Sequence, residues 1–191
     1  MKNILALLFL IVVLFGGSCK KQDLSLSPLK YSWGSAKAEV NDTQWQANAC
    51  RAGISPKKSD TIFLELGRAD NIQFHELLRF HFLPIQLGIY YLPDMQLNLS
   101  NTKTKTVGMN FFIKGDNDLD CAAYENLHDA DSLQNWVEIT EYNEKTKEIK
   151  GKFSCNMIIN PKGSNAGPKC KPTDPDTIRI RNGMFHTKIM N

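Results

Sequence analysis

The sequence predicts an all-β domain, either a β-sandwich or a partly closed barrel of about nine short strands. Apolar and polar residues alternate over short runs, as in Leu78-Arg79-Phe80-His81-Phe82. Turn-forming residues separate these runs at short intervals. Nowhere after residue 30 is there a long stretch of helical periodicity.

The chain opens differently. Lys2 is followed by an unbroken apolar run of 12 residues, Ile4 to Phe15, and then by the small residues Gly16, Gly17 and Ser18 before Cys19. A membrane-crossing helix needs about 20 apolar residues, so this run is too short to span. Its length and charge fit the apolar region of a secretory signal. The small residues before Cys19 resemble the cleavage box of bacterial lipoproteins, with Gly16 where Leu is usual. That resemblance implies a signal peptide over residues 1–18 and a lipidated Cys19 at the mature N-terminus. It also implies an outer-membrane destination, because Lys20 replaces the Asp that commonly retains lipoproteins in the inner membrane. Residues 19–30 are polar, carry Pro28 and read as the tether. About 150 residues then remain for a single domain, taken as 31–191.

Ala36, Ala38 and Val40 share one parity, Asn41-Asp42 marks a tight turn, and Trp45, Ala47 and Ala49 share a face on the return. Thr61–Leu66 and Leu77–Leu83 read as strands, with Phe80 and Phe82 assigned to the core. Gly88–Leu92 is a short strand stopped by Pro93. In Val107–Ile113, Met109, Phe111 and Ile113 share a face. Residues 116–135 are the least strand-like, and a short helix is expected near Cys121–Leu127. Trp136–Tyr142 and Glu148–Ile159 form the strongest hairpin signal, turning at Asn143–Thr146. Residues 161–175 carry four prolines and read as a long loop. The last strand starts at Thr177, points Ile178 and Ile180 inward, and has a bulge or turn at Asn182-Gly183.

Several of these pieces occur in an order that resembles a family of uncharacterised bacterial lipoproteins, a domain of unknown function. They are Val40-Asn41-Asp42 with Trp45, Gly88-Ile89-Tyr90-Tyr91-Leu92, Ile139-Thr140, Gly151-Lys152-Phe153-Ser154, and Asn182-Gly183-Met184-Phe185. The resemblance covers about residues 36 to 187 and implies a β-rich exported protein. It carries no catalytic residues to transfer. Asp42 stands where that family commonly has Gly, and Asp adopts positive φ less readily.

A net charge of +3 with no basic stripe argues against nucleic acid as a partner. Four cysteines follow Cys19. An even number in an oxidising compartment predicts two disulfides, with Cys155–Cys170 and Cys50–Cys121 the preferred pairs. No close Cys pair suits zinc. Asp116, Asp118 and Asp120 have the alternate spacing of a calcium loop. Cys121 and Leu127 occupy the places that need Gly and Glu, so they are weak metal candidates beside a plain solvated acidic loop. His75, Arg79 and His81 share strand parity. Arg79 and His81 are the candidates for a ligand-facing surface that would take an anion or a sugar, against the plainer reading of a solvated strand. Trp33, Trp45 and Trp136 would make a sugar-stacking platform if exposed together, and otherwise pack in the core.

No HExxH, G-x-S-x-G or Cys-His context appears. The expectation is therefore a non-catalytic, monomeric module without cofactor. It would be held to the membrane by lipid and would bind a glycan or protein ligand. The alternatives are an assembly accessory that binds only proteins, and a hydrolase centred on Asp116–Glu125.

Overall fold

A computed structural model describes residues 29–56, 58–71, 73–92, 107–114, 120–126, 134–160 and 173–190. The described chain forms eleven strands. These are β1 (Gly34–Val40), β2 (Thr43–Ala47), β3 (Ala49–Ser55), β4 (Lys58–Ala69), β5 (Phe74–Pro84) and β6 (Gly88–Tyr91). They continue with β7 (Gly108–Lys114), β8 (Asp120–Asn126), β9 (Trp136–Asn143), β10 (Glu148–Ile159) and β11 (Thr177–Met190). The all-β expectation holds, and the sheet partly closes on itself.

Closure comes from the two long strands at the C-terminal end. β10 and β11 pair antiparallel from Glu148↔Lys188 to Ile158↔Thr177. The other edge of β10 is shared between β9 and β8. The other edge of β11 takes β1 along most of its length, then β3 at Ile189 and Met190. The strands β3-β4-β5-β7-β8-β10-β11 thus run in a ring, and β1-β2 and β9-β6 extend from it as two-stranded wings. The β3–β11 pairing is parallel, and the other described pairings are antiparallel.

Inside the ring lies one core, to which the seven ring strands bring their inward parity and the wings add Ala36, Ala38, Trp45, Ala47, Val137 and Ile139. Phe80 of β5 meets Phe153 of β10 edge-on at 5.7 Å between ring centroids. That contact joins two strands that are not hydrogen-bonded neighbours.

The centre of the β10–β11 pair is a reciprocal aromatic–glycine arrangement. Gly151 is opposite Phe185, and Phe153 is opposite Gly183. A Cβ on Gly151 would sit 2.5 Å from the Phe185 ring and 2.1 Å from the Glu138 carbonyl oxygen. A Cβ on Gly183 would sit 2.5 Å from the Phe153 ring. Each ring therefore occupies the space that its partner glycine leaves empty. Just beyond, β11 carries one extra residue at a bulge with Asn182 at φ +52°, so the Asn182-Gly183 reading holds.

The first hairpin also holds. Val40 pairs with Thr43 across a two-residue turn, with Asn41 and Asp42 both at positive φ. Asp42 thus takes the conformation for which Gly is preferred. The Asn41 side chain ties this turn to β11 by accepting from the Arg179 amide at 2.8 Å.

Three expectations need correction. The run Thr43–Ala49 is not one strand: it breaks at Asn48, whose side chain bonds both backbone groups of Ala69, and β3 starts anew. The helix expected near Cys121–Leu127 is strand β8, held between β7 and β10. Pairing on both edges overrides the weak local preference of Ala-Ala-Tyr-Glu. The disulfides Cys155–Cys170 and Cys50–Cys121 are also not formed, because Cys50 and Cys155 are free thiols. Both face the common core and are fully buried, where they pack as small apolar groups. Burial pushes the Cys50 thiol up to about 12 and raises that of Cys155 as well. Cys170 and the side chain of Cys121 lie outside the described residues.

Replacing Gly151 with Ala is expected to destabilise the protein by about 1–3 kcal/mol, through overpacking against Phe185. Thermal melting would show this as a midpoint fall of roughly 3–10 °C. Lys152→Ala, at an exposed neighbour, is expected to stay within about 0.5 kcal/mol of the parent.

Candidate functional site

The outward parity of β3, β4, β5, β7 and β8 is not a plain solvated face. One cross-strand row runs Arg51↔Glu65↔Arg79↔Asn110↔Glu125. Its centre is Glu65, only 4 % exposed although it points away from the core. Arg51 Nε donates to Glu65 Oε2. Arg79 donates to Oε1 from Nε at 2.7 Å, and one of its terminal amino groups lies 2.6 Å from the same oxygen in an ion pair. Two guanidiniums therefore hold both carboxylate oxygens, which is what allows a carboxylate to be buried.

Aromatic rings steady the guanidiniums. Arg51 lies 5.3 Å from the centroid of Phe74, and Arg79 lies 5.7 Å from that of Phe112. Phe74 belongs to a small apolar cluster outside the ring with Ala49, Ala69 and Leu77, on which Leu29 and Phe112 also pack. The start of the described chain is thereby laid beside the row.

On the other side of the row the surface opens into a groove of about 760 Å³. Its floor is the Arg51–Glu65–Arg79 group, and Tyr31, Phe63, Phe82 and Met190 give it apolar walls. Phe63 lies over Gly53, whose missing Cβ would be 2.5 Å from the ring. His81 also lines the groove. Burial pulls its pKa below the ordinary value, and the charge of Arg79 adds to this, while Glu65 and a hydrogen bond with Asn110 oppose it. His81 is therefore neutral at pH 7 and takes part as a hydrogen-bonding group.

A bulge in β5 puts Phe82 here. Ile62 pairs with Leu83 and Leu64 with Phe80, so β5 has one residue too many. Phe82 sits at φ +57°, a conformation that is rare for a bulky side chain. Leu83 takes the inward place and Phe82 turns to the groove. Phe82 is thus not core, contrary to the reading from alternation. The one sequence signal for it was the adjacent apolar pair Phe82-Leu83, which breaks the period of two.

Of the sequence candidates, Arg79 and His81 are brought together at this groove. His75 is not, because a second bulge opposite Arg68–Ala69 turns it away, and it pairs with Asp70 at 3.0 Å. Sequence reasoning missed Arg51, Glu65, Phe63 and Tyr31. The tryptophans form no platform. Trp45 is buried and donates to Glu76 at 2.7 Å, Trp33 packs edge-on against His186 at 5.0 Å, and Trp136 starts β9. Among the described residues no group of three or more His, Cys, Asp or Glu is placed to hold a metal ion. Asp116, Asp118 and the side chain of Asp120 lie outside the described residues.

Comparison with protein-family models, with curated proteins and with solved structures finds no match to this chain.

The depressed His81 has a sign that can be checked. Unfolded His81 takes up its proton near 6.5, whereas the folded protein binds it more weakly. The unfolded state therefore gains protons first, and His81 costs stability as pH falls through that value. Parent and His81→Gln melting temperatures, compared between about pH 7.5 and 5.5, are expected to show the larger acid loss in the parent. An equal or smaller loss in the parent would contradict the assignment.

Proposed function

We propose that this chain is a lipid-anchored protein of the outer membrane whose β-domain binds a small ligand without catalysing its conversion. The groove over Arg51, Glu65 and Arg79 is the observation that carries the binding reading. A concave, mostly apolar site with a few convergent polar groups is the usual form of a ligand site. Glu65 is clamped on both oxygens, so the groove offers guanidinium N–H groups, an imidazole and aromatic faces. Those groups recognise rather than transform.

The strained Phe82 supports the same reading. A left-handed bulky residue costs on the order of 1–3 kcal/mol and clusters at functional sites. The anchor rests on the apolar run and Cys19. The resemblance to exported β-rich lipoproteins agrees with it.

A screen of the full-length protein against acids, bases, sugars and neutral aromatics, read by ligand-observed NMR, tests the binding half. Hits are expected, and Ile54→Trp, which fills the groove from its rim without adding charge, should abolish them. An empty screen, or hits indifferent to Ile54→Trp, would refute the groove as a ligand site. Labelling with a palmitate analogue tests the anchor. The parent should be labelled and Cys19→Ala should not, and an unlabelled parent beside a labelled control lipoprotein would remove the membrane assignment.

An assembly accessory is the second reading. Leu87, Ile89 and Tyr91 are 54–65 % exposed on or beside β6, which lies at one end of the strand order. Apolar side chains at a sheet edge suit a protein partner. That reading gains if the screen is empty.

A further inference from the structure

Charge and unused hydrogen-bonding capacity narrow the ligand class. Arg51 spends only Nε on Glu65, and Arg79 spends Nε and one terminal amino group. Among the described residues, both terminal amino groups of Arg51 and one of Arg79 have no hydrogen-bonding partner. The two side chains are 30 % and 32 % exposed, so their free edges reach solvent. Two guanidiniums against one carboxylate leave the floor of the groove at +1. An ammonium ligand would be repelled there, and a neutral one would leave the surplus charge uncompensated.

The walls set the rest of the molecule. Tyr31, Phe63, Phe82 and Met190 offer apolar surface to one side of the cationic floor. The volume of about 760 Å³ is within the range that holds a compact organic molecule. A sugar would meet few polar partners on these walls, and a bare inorganic anion would leave them empty.

Building on the binding role proposed above, we infer that the groove takes an amphiphilic monocarboxylate, with its carboxylate between Arg51 and Arg79 and its apolar body against Phe63, Phe82 and Tyr31. The carboxylate accepts from the terminal amino groups that Glu65 leaves free, in charge-assisted hydrogen bonds. Glu65 is a positioning residue, since it holds the two guanidiniums at the separation set by strand pairing. Leu29 packs on the Phe74 cluster across the row from the groove, and the ten chain steps from Cys19 to Leu29 span at most roughly 35 Å, so a membrane-bound Cys19 keeps the site close to the bilayer. An amphiphile leaving the bilayer surface would meet it there.

The test uses the full-length protein in phosphatidylcholine nanodiscs, with empty nanodiscs subtracted. The probes are 4-phenylbutyrate, 4-phenylbutanol and 4-phenylbutylamine, which share one apolar body and differ in head group. The acid should bind at least tenfold more tightly than the alcohol, and the amine most weakly. Arg51→Gln should remove that preference for the acid, Arg51→Lys should keep part of it, and Phe82→Ser should weaken acid and alcohol alike. Melting curves confirm that each variant is folded, and Arg51→Lys covers a failure of Arg51→Gln to fold. Equal binding of acid and alcohol by the parent would overturn the carboxylate inference and leave the groove a binding site. Tighter binding of the amine would overturn it too. Failure of all three probes, when the wider screen does give groove-dependent hits, would overturn this ligand class alone.

Discussion

Everything in this domain hangs on the clasp between β10 and β11. Phe153 fills the space over Gly183, and Phe185 fills that over Gly151. A side chain on either glycine would push a ring out of place, and a ring of another size would leave a void. The clasp fixes the register of the two strands from which both halves of the sheet depart. β1 and β3 attach to β11, and β8 and β9 attach to β10. A register slip by one residue would turn Phe153, Cys155, Ile178 and Ile180 outward together. Phe153 meets Phe185 on one side and Phe80 on the other, and so joins the clasp to the opposite side of the core.

Closure of the ring has a consequence for the outside. Five antiparallel strands, β3-β4-β5-β7-β8, present one continuous outward face, and the Arg51–Glu125 row crosses all of it. A carboxylate as covered as Glu65 is costly to desolvate, and pairing alone often only breaks even. Here each oxygen has its own guanidinium, and each guanidinium has an aromatic ring close by. Glu65 and the two rings together restrain both guanidiniums. Such preorganisation lowers the ordering cost of binding. The bulge at Phe82 adds the wall that turns a charged face into a groove.

Much of the strand pattern was legible because it is local. The alternations in β5, β9 and β10 located core residues such as Leu78, Phe80, Val137, Ile139, Phe153 and Cys155, all buried. Asn41-Asp42 and Asn182-Gly183 marked a turn and a bulge through residues that tolerate positive φ. β3 was missed because Ala-Cys-Arg-Ala-Gly carries little strand preference, and it owes its place to β4 and β11. β8 was read as helix for a similar reason. Cys155 was assigned to the inward face and also to a disulfide. The first holds and the second does not, since the core encloses the thiol among apolar neighbours. At the site, Arg79 and His81 were found by parity, while Arg51 and Glu65 gave no local sign of their pairing.

By itself the sequence determined the strand-rich class, the inward faces of the regular strands and the two tight backbone features. These follow from periods of two and from single-residue conformational preference, which neighbouring residues encode. Only the tertiary structure decided that β10 and β11 close a ring, that Glu65 is buried between two arginines, that Phe82 faces outward and His75 turns away, and that Cys50 and Cys155 stay as thiols. Each of these depends on which strands lie side by side and in what register. That is settled by long-range packing, and a short window of sequence carries no record of it.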